Sequence, residues 1–205
     1  MKLTPREYLS WSSMDMFERS KEKWVQVYIY GEKMGTNSGQ DFGRVMAESF
    51  ENDEMTGDIN LDIAMVKVPR YEIRDKSIMS ELKDGKKKIV ILIKPDTVKK
   101  DYSAFQEDKT GPVGAWTQRK VDESGQITFY ATGLYLASGK IPADIKLNHF
   151  ETEKVWNETG GFRIKSNGEV RIFDTKRNMA QVLKMMVRMK RAQEGIEKLC
   201  EEILF

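Results

Sequence analysis

The sequence predicts an α/β (α+β) fold, a mixed β-sheet flanked by helices, and three observations lead there. Segments of helical periodicity open the 205-residue chain, β-branched apolar runs fill its middle, and one long amphipathic segment closes it. A chain of this length buries one substantial core, so a single domain over residues 1–205 is expected.

The elements follow in order. Ser12 with Asp15 three residues later is a capping-box start, which places a first helix over residues 14–28. Residues 35–39 are rich in Gly, Asn, Ser and Thr and read as a loop. Phe42, Val45, Met46, Ser49 and Phe50 then form a stripe at helical spacing, the second helix. Residues 58–68 make a third, short helix ended by Pro69, with an extended alternating stretch over 71–82 behind it. Residues 88–93 are β-branched and apolar and reach Pro95-Asp96. After a charged tip at Lys99-Lys100-Asp101 the chain returns as residues 102–109, so a hairpin is predicted. Pro95 cannot donate to a ladder and marks a kink or edge, and Thr110-Gly111-Pro112 stops the second strand. A helix over 122–138 buries Ile127, Tyr130, Ala131 and Leu134, and residues 145–150 read as a strand. Residues 162–165 and 169–173 flank Ser166-Asn167-Gly168, a turn sequence that predicts a second hairpin. From about Arg177 a long C-terminal helix carries Met179, Val182, Leu183, Met186, Met189, Ile196, Leu199 and Ile203 at the helical period.

Charge is abundant but balanced, for a net +2, so any polyanion must be held by a local patch. No uninterrupted apolar run approaches the ~20 residues of a membrane span, and Met1-Lys2-Leu3-Thr4-Pro5 lacks the apolar core of a secretory signal. A cytoplasmic protein without a membrane partner is expected. Cys200 is the only cysteine, which excludes an internal disulfide and any site built from several thiolates. A bound metal must therefore take mostly oxygen ligands.

Glu107 and Lys109 sit two apart on a predicted strand, so both project from one face while Asp108 points to the other. Asp96, at the end of the partner strand, joins them if the register brings the two strand ends together. Phosphodiester hydrolysis needs charge neutralisation at the phosphoryl oxygens and a nucleophile made from water. Mg²⁺ or Mn²⁺ supplies both and prefers hard oxygen ligands, here Asp96, Glu107 and the backbone carbonyl of Asp108. Lys109 would orient the water, help deprotonate it, or stabilise the developing charge, three roles that stay open. An acid-x-Lys triplet is also common on charged surfaces. The preceding Pro-Asp and the following Thr-Gly are what single this one out.

In these residues the chain resembles the PD-(D/E)XK nuclease superfamily, in particular its RecB-like exonuclease branch. The resemblance is carried by Pro95-Asp96, by Glu107-Asp108-Lys109-Thr110-Gly111, and by Gln126 with Tyr130, which share a helix face. It implies a restriction-endonuclease-like core and a Mg²⁺- or Mn²⁺-dependent DNA nuclease in which Gln126 and Tyr130 position the lysine or the DNA. An exonuclease working on DNA ends or single strands, in recombination, repair or phage DNA processing, rests on the resemblance alone. So does a bacterial or phage-infected host cytoplasm. Leu9-Ser10-Trp11-Ser12-Ser13 and Gly43-Arg44-Val45-Met46 are similar to the family's opening helices. Two departures matter: the position of the family's metal-binding histidine is Ala47, leaving Glu48 or Glu51 as replacements or as solvated glutamates, and Ser20-Lys21 stands where cluster-bearing relatives have Cys-Pro. An iron–sulfur cluster is thus excluded. No Walker-type loop occurs, so a separate helicase or recombination partner is expected if the enzyme does not act alone. The rivals are a nucleic-acid-binding module with little or no cleavage, and an assembly component whose charged hairpin is only a surface. His149, the sole histidine, receives no role, Trp116 reads as packing, and Lys86-Lys87-Lys88 as a turn.

Overall fold

The computed structural model describes residues 4–85 and 87–204, so Met1-Lys2-Leu3, Lys86 and Phe205 lie outside the described residues. Along the chain run β1 (Leu9–Ser10), α1 (Trp11–Arg19), α2 (Lys21–Tyr28), α3 (Ser38–Asn52), α4 (Ile59–Val66), β2 (Ile73–Arg74), β3 (Ile78–Asp84) and β4 (Lys87–Ile93). β5 (Thr97–Val98), β6 (Ala104–Pro112), α5 (Gln118–Asp122), α6 (Gly125–Ser138), β7 (Asp144–Trp156), β8 (Phe162–Thr175) and α7 (Met179–Leu204) complete it. The architecture is the mixed α/β arrangement that the sequence predicts, with a long C-terminal helix.

The strands form two mixed sheets, β1-β4-β3 and β2-β5-β6-β7-β8. In the first, β4 runs parallel to β1 and antiparallel to β3. In the second, β6 is parallel to β7 along its whole length but meets β5 only through Phe105 and Gln106. The larger core packs Ile91 and Ile93 of β4 and Phe105 of β6 with Ile127, Phe129 and Leu134 of α6 and Met189 and Ile196 of α7. A smaller one closes α3 and α4 over Phe150 through Met46, Leu61 and Ala64.

Several expectations are corrected. The helix over 14–28 is two helices, because the Ser20 hydroxyl accepts the Lys23 N–H at 3.2 Å and starts α2, while Ser10 rather than Ser12 caps α1. The strand at 88–93 does not pair with 102–109. The alternating stretch before it pairs antiparallel with it as β3 and takes that edge, and the Lys94-Pro95-Asp96 segment then carries the chain into the other sheet. The hairpin that forms is β5–β6, and β6 runs on through Thr110 to Pro112 because β7 supplies its partner there. Residues 162–173 form no second hairpin. β8 is continuous, and Asn167-Gly168 is absorbed where its register with β7 shifts, with Gly168 at φ 86°. The β7–β8 turn lies instead at 157–161, where the Asn157 N–H reaches the Gly161 carbonyl at 2.8 Å. The helix over 122–138 divides into α5 and α6 at Ser124, whose hydroxyl caps α6. On α7 the buried stripe is Val182, Met185, Met189, Ala192, Ile196 and Cys200, so Met179, Leu183 and Ile203 face out. Among the described residues no helix is long and apolar enough to cross a membrane.

α6 lies against β4 through a glycine, since a Cβ on Gly133 would stand 2.6 Å from Cγ2 of Ile93. Gly133→Ala is expected to lower the unfolding free energy in urea by about 1–3 kcal/mol, despite the ~1 kcal/mol that alanine contributes to a helix. Gly35→Ala, with nothing within 4 Å, is the control. A Gly133→Ala protein as stable as the parent would contradict this close packing.

Candidate active site

The site grows from an edge that β5 leaves uncovered. β5 pairs only with Phe105 and Gln106, and from Glu107 onward that side of β6 has no strand beside it. Asp96 stands just before β5, and its Oδ2 accepts the Asp108 backbone N–H at 2.6 Å. In an extended strand the N–H and C=O of one residue leave on the same side, so the Asp108 carbonyl also faces the open edge.

Glu107 is buried, and its Oε1 accepts from Lys109 Nζ at 2.6 Å and from Gln126 Nε2 at 2.7 Å. Gln126 Nε2 also reaches the Tyr130 hydroxyl at 3.0 Å, so α6 braces Glu107 from behind. The other carboxylate oxygen, Oε2, is buried with no partner in the protein. Asp96, Glu107, Asp108 and Lys109 line one wall of a cavity of about 620 Å³, and Gln40, Gly43, Ala47 and Glu51 of α3 line the other. The walls approach at Gly43, where a Cβ would lie 3.0 Å from Thr110 Oγ1.

Burial, then the neighbouring Glu107 carboxylate, holds the Asp96 carboxyl well above the usual carboxylate range, with the Asp108 N–H offsetting part of this. Burial likewise raises Glu107, although the Lys109 ammonium pulls it back. For Lys109 burial opposes the charge, but the Glu107 carboxylate and its hydrogen bond outweigh that, and the pKa ends above the ordinary lysine value. Burial also pushes the Tyr130 phenol up.

Of the two helix glutamates, Glu51 lines the cavity, whereas Glu48 lies 4.0 Å from Arg44 on the exposed side of α3. The Glu51 carboxyl is raised first by its hydrogen bond to Asp75, whose Oδ1 in turn holds Lys94 Nζ at 2.7 Å. Sequence reasoning passed over Asp75, Arg70 and Asn148. Arg70 and Asn148 both hold the Asp108 carboxylate, Asn148 at 2.8 Å. The available signal was Asp108 itself: a charge in a strand flanked by apolar runs requires counter-groups on its own face. His149 is buried with Nε2 3.2 Å from the Gly111 carbonyl, and burial lowers its pKa. Trp116 packs against the main core.

The donors suit a hard cation: the Asp96 carboxylate, the unpartnered Oε2 of Glu107 and a strand carbonyl, with remaining places left to water and substrate oxygens. No three His, Cys, Asp or Glu side chains among the described residues form a group able to hold a metal ion by themselves.

No family model matches the sequence, and no curated protein is similar to it in sequence. Solved structures do resemble the fold. An exonuclease candidate from Eubacterium rectale superposes with a TM-score of 0.58 at 11% identity, over 94% of this chain and 82% of that one. A phage-related exonuclease from Haemophilus somnus 129PT gives 0.55 at 13% identity, over 87% and 80%. This is a fold that exonucleases share. At such identities the likeness is one of architecture.

The raised Asp96 pKa gives a stability profile with a definite sign. The folded chain keeps this proton at pH values where the unfolded chain, near 3.8, has lost it. The contribution is therefore complete below the unfolded value and is lost as pH rises toward the folded one, at up to about 1.4 kcal/mol per pH unit. Asp96→Asn retains an acceptor for the Asp108 N–H and removes the charge. In a chelating buffer the variant is expected to unfold at higher urea than the parent near neutral pH, with the gap closing toward pH 4. A gap that stays constant with pH would refute a raised pKa at Asp96.

Proposed function

We propose that the chain is a divalent-metal-dependent deoxyribonuclease that hydrolyses phosphodiester bonds, acting as an exonuclease on DNA ends or single strands. The observation that carries this is the meeting of Asp96 and the Glu107–Lys109 triplet at an open strand edge, with one buried carboxylate oxygen left unpartnered. The exonucleases that share its fold support the choice of reaction, and the RecB-like assignment rests on the motifs quoted above.

The residues divide the work. Asp96, Glu107 Oε2 and the Asp108 carbonyl would hold Mg²⁺ or Mn²⁺, and Glu51 lines the facing helix of the same cavity. When bound, such an ion neutralises phosphoryl oxygens and acidifies water. Lys109 stays protonated at neutral pH, which supports its acting as a donor that orients water or steadies developing negative charge rather than as the base. Gln126 engages Glu107 Oε1 and thereby leaves Oε2 for the cation, so Gln126 and Tyr130 are positioning residues for Glu107.

Ala47 in the histidine position and the lack of a three-side-chain metal group favour a second reading, a DNA-binding module with little cleavage. Linear single- and double-stranded DNA separates the two. Under the nuclease reading the parent degrades DNA with Mg²⁺ or Mn²⁺ and stops on chelation, and Asp96→Asn, Glu107→Gln and Lys109→Ala each lower the rate by roughly 10²- to 10⁴-fold. Mn²⁺ at a hundred times its Kd raises the parent's unfolding free energy by about 2.7 kcal/mol, and Glu107→Gln loses that gain. A parent that binds DNA but leaves it intact with either ion would establish the second reading instead.

A further inference from the structure

The same cavity holds a buried cation that the site's own acids do not fully employ. Arg70, between α4 and β2, has a side chain about nine-tenths buried, with 9% of its surface exposed. Its guanidinium lies flat over Phe50, with Cζ 3.3 Å from the ring centroid, and its Nη1 donates to Asp108 Oδ2. Nε and Nη2 have no acceptor in the protein. Those two nitrogens form the side-on fork with which arginine grips a carboxylate or phosphate.

The other cations on this cavity are committed. Lys109 is bonded to Glu107, and Arg74 pairs with Asp53 outside the site. Arg70 alone among the cavity's described cations has buried nitrogens without an acceptor. A buried guanidinium with one acceptor is unfavourable, and folds keep such groups where a ligand completes them.

We infer that Arg70 is a phosphate-binding residue for the DNA backbone: in the bound state its Nε and Nη2 take the oxygens of a phosphodiester in the cavity beside the one being cleaved, and Asp108 with Phe50 stores it when the cavity is empty. This rests on the nuclease reading above, since it assumes a nucleic acid in the cavity. The arrangement explains why the middle residue of the triplet is charged. Asp108 faces away from Glu107 and Lys109, so its carboxylate is a counter-ion rather than a further ligand at the reacting phosphate. The two free nitrogens are screened from bulk solvent, so the guanidinium must turn toward the cavity to meet a phosphate. Asp108 is not abandoned when it does, because Asn148 Nδ2 still donates to Oδ1 at 2.8 Å. Phe50 offers a flat ring along which the guanidinium can slide.

Arg70→Gln alone would leave Asp108 buried without its counter-charge, so the informative comparison removes both charges. The probe is a short fluorescent single-stranded oligodeoxynucleotide. Its binding is followed by anisotropy in EDTA across a salt series, for the parent, Asp108→Asn, Arg70→Gln/Asp108→Asn and Arg70→Lys, with thermal melts to establish folding. Asp108→Asn is expected to keep the parent's salt slope, since the guanidinium remains. The double variant is expected to bind roughly 10- to 100-fold more weakly and to lose about 0.7 from the slope of log K against log salt. Arg70→Lys is expected to keep the slope, because a charge remains, yet to bind more weakly, because the fork is gone. If the double variant melts like Asp108→Asn and binds with the parent's affinity and slope, Arg70 is only a counter-ion and the inference is overturned. If the double variant does not fold, Arg70→Lys decides, and parental affinity there overturns it equally. A parent that does not bind the oligonucleotide overturns this inference, while the nuclease reading stands or falls separately on the cleavage assay above; loss confined to the Arg70 variants supports the inference.

Discussion

A β-strand normally spends its backbone on its neighbours, and the site described above exists because one stretch of β6 does not. β5 accompanies β6 for only two residues before the chain turns away toward Asp96. The Asp108 N–H therefore meets a carboxylate instead of a ladder carbonyl, and the 2.6 Å bond between them ties the chain crossing from one sheet to β6 of the other. Asp96, Glu107, Lys109 and the Asp108 carbonyl are all placed by that single departure from pairing. A longer β5 would satisfy the edge and close the cavity beside it.

Gathering acids at a buried edge is costly, and the surroundings show how the cost is contained. Burial raises both Asp96 and Glu107, and the Glu107 carboxylate raises Asp96 further, so the pair favours holding a proton. Lys109 and Gln126 share one Glu107 oxygen, while Arg70 and Asn148 take the Asp108 carboxylate on the opposite face. Glu107 Oε2 is left buried without a donor from these groups.

The second wall comes from elements distant in sequence. α3 reaches β6 only because position 43 is a glycine, and Phe50 on the same helix both joins the small core over Phe150 and carries the Arg70 guanidinium. The packing that holds α3 against the sheet therefore also sets the width of the cavity and the position of its buried cation. α6 plays the matching part on the other face, with Gln126 in the site and Gly133 against β4, so one helix registers both sheets.

Local chemistry was legible in the chain itself. The two-residue period places Glu107 and Lys109 together and Asp108 opposite, and the helical period places Gln126 with Tyr130, because each of these depends on neighbours within a few positions. The partner of residues 88–93, the continuity of β8 across Asn167-Gly168, the break at Ser20 and the true buried face of α7 were not legible. Each is settled by competition between distant segments for the same edge or surface. The same limit applied within the site: Asp96 meets Asp108 through a sheet-to-sheet crossing rather than a shared hairpin, Glu51 rather than Glu48 faces the cavity, and Arg70 arrives from 38 residues away. The sequence by itself determined which acids and which amine can do chemistry together, since side-chain direction along a strand is a local property. Only the tertiary structure decided which strand edge stays open and which distant cation is buried beside it, because those depend on what every other segment has already covered.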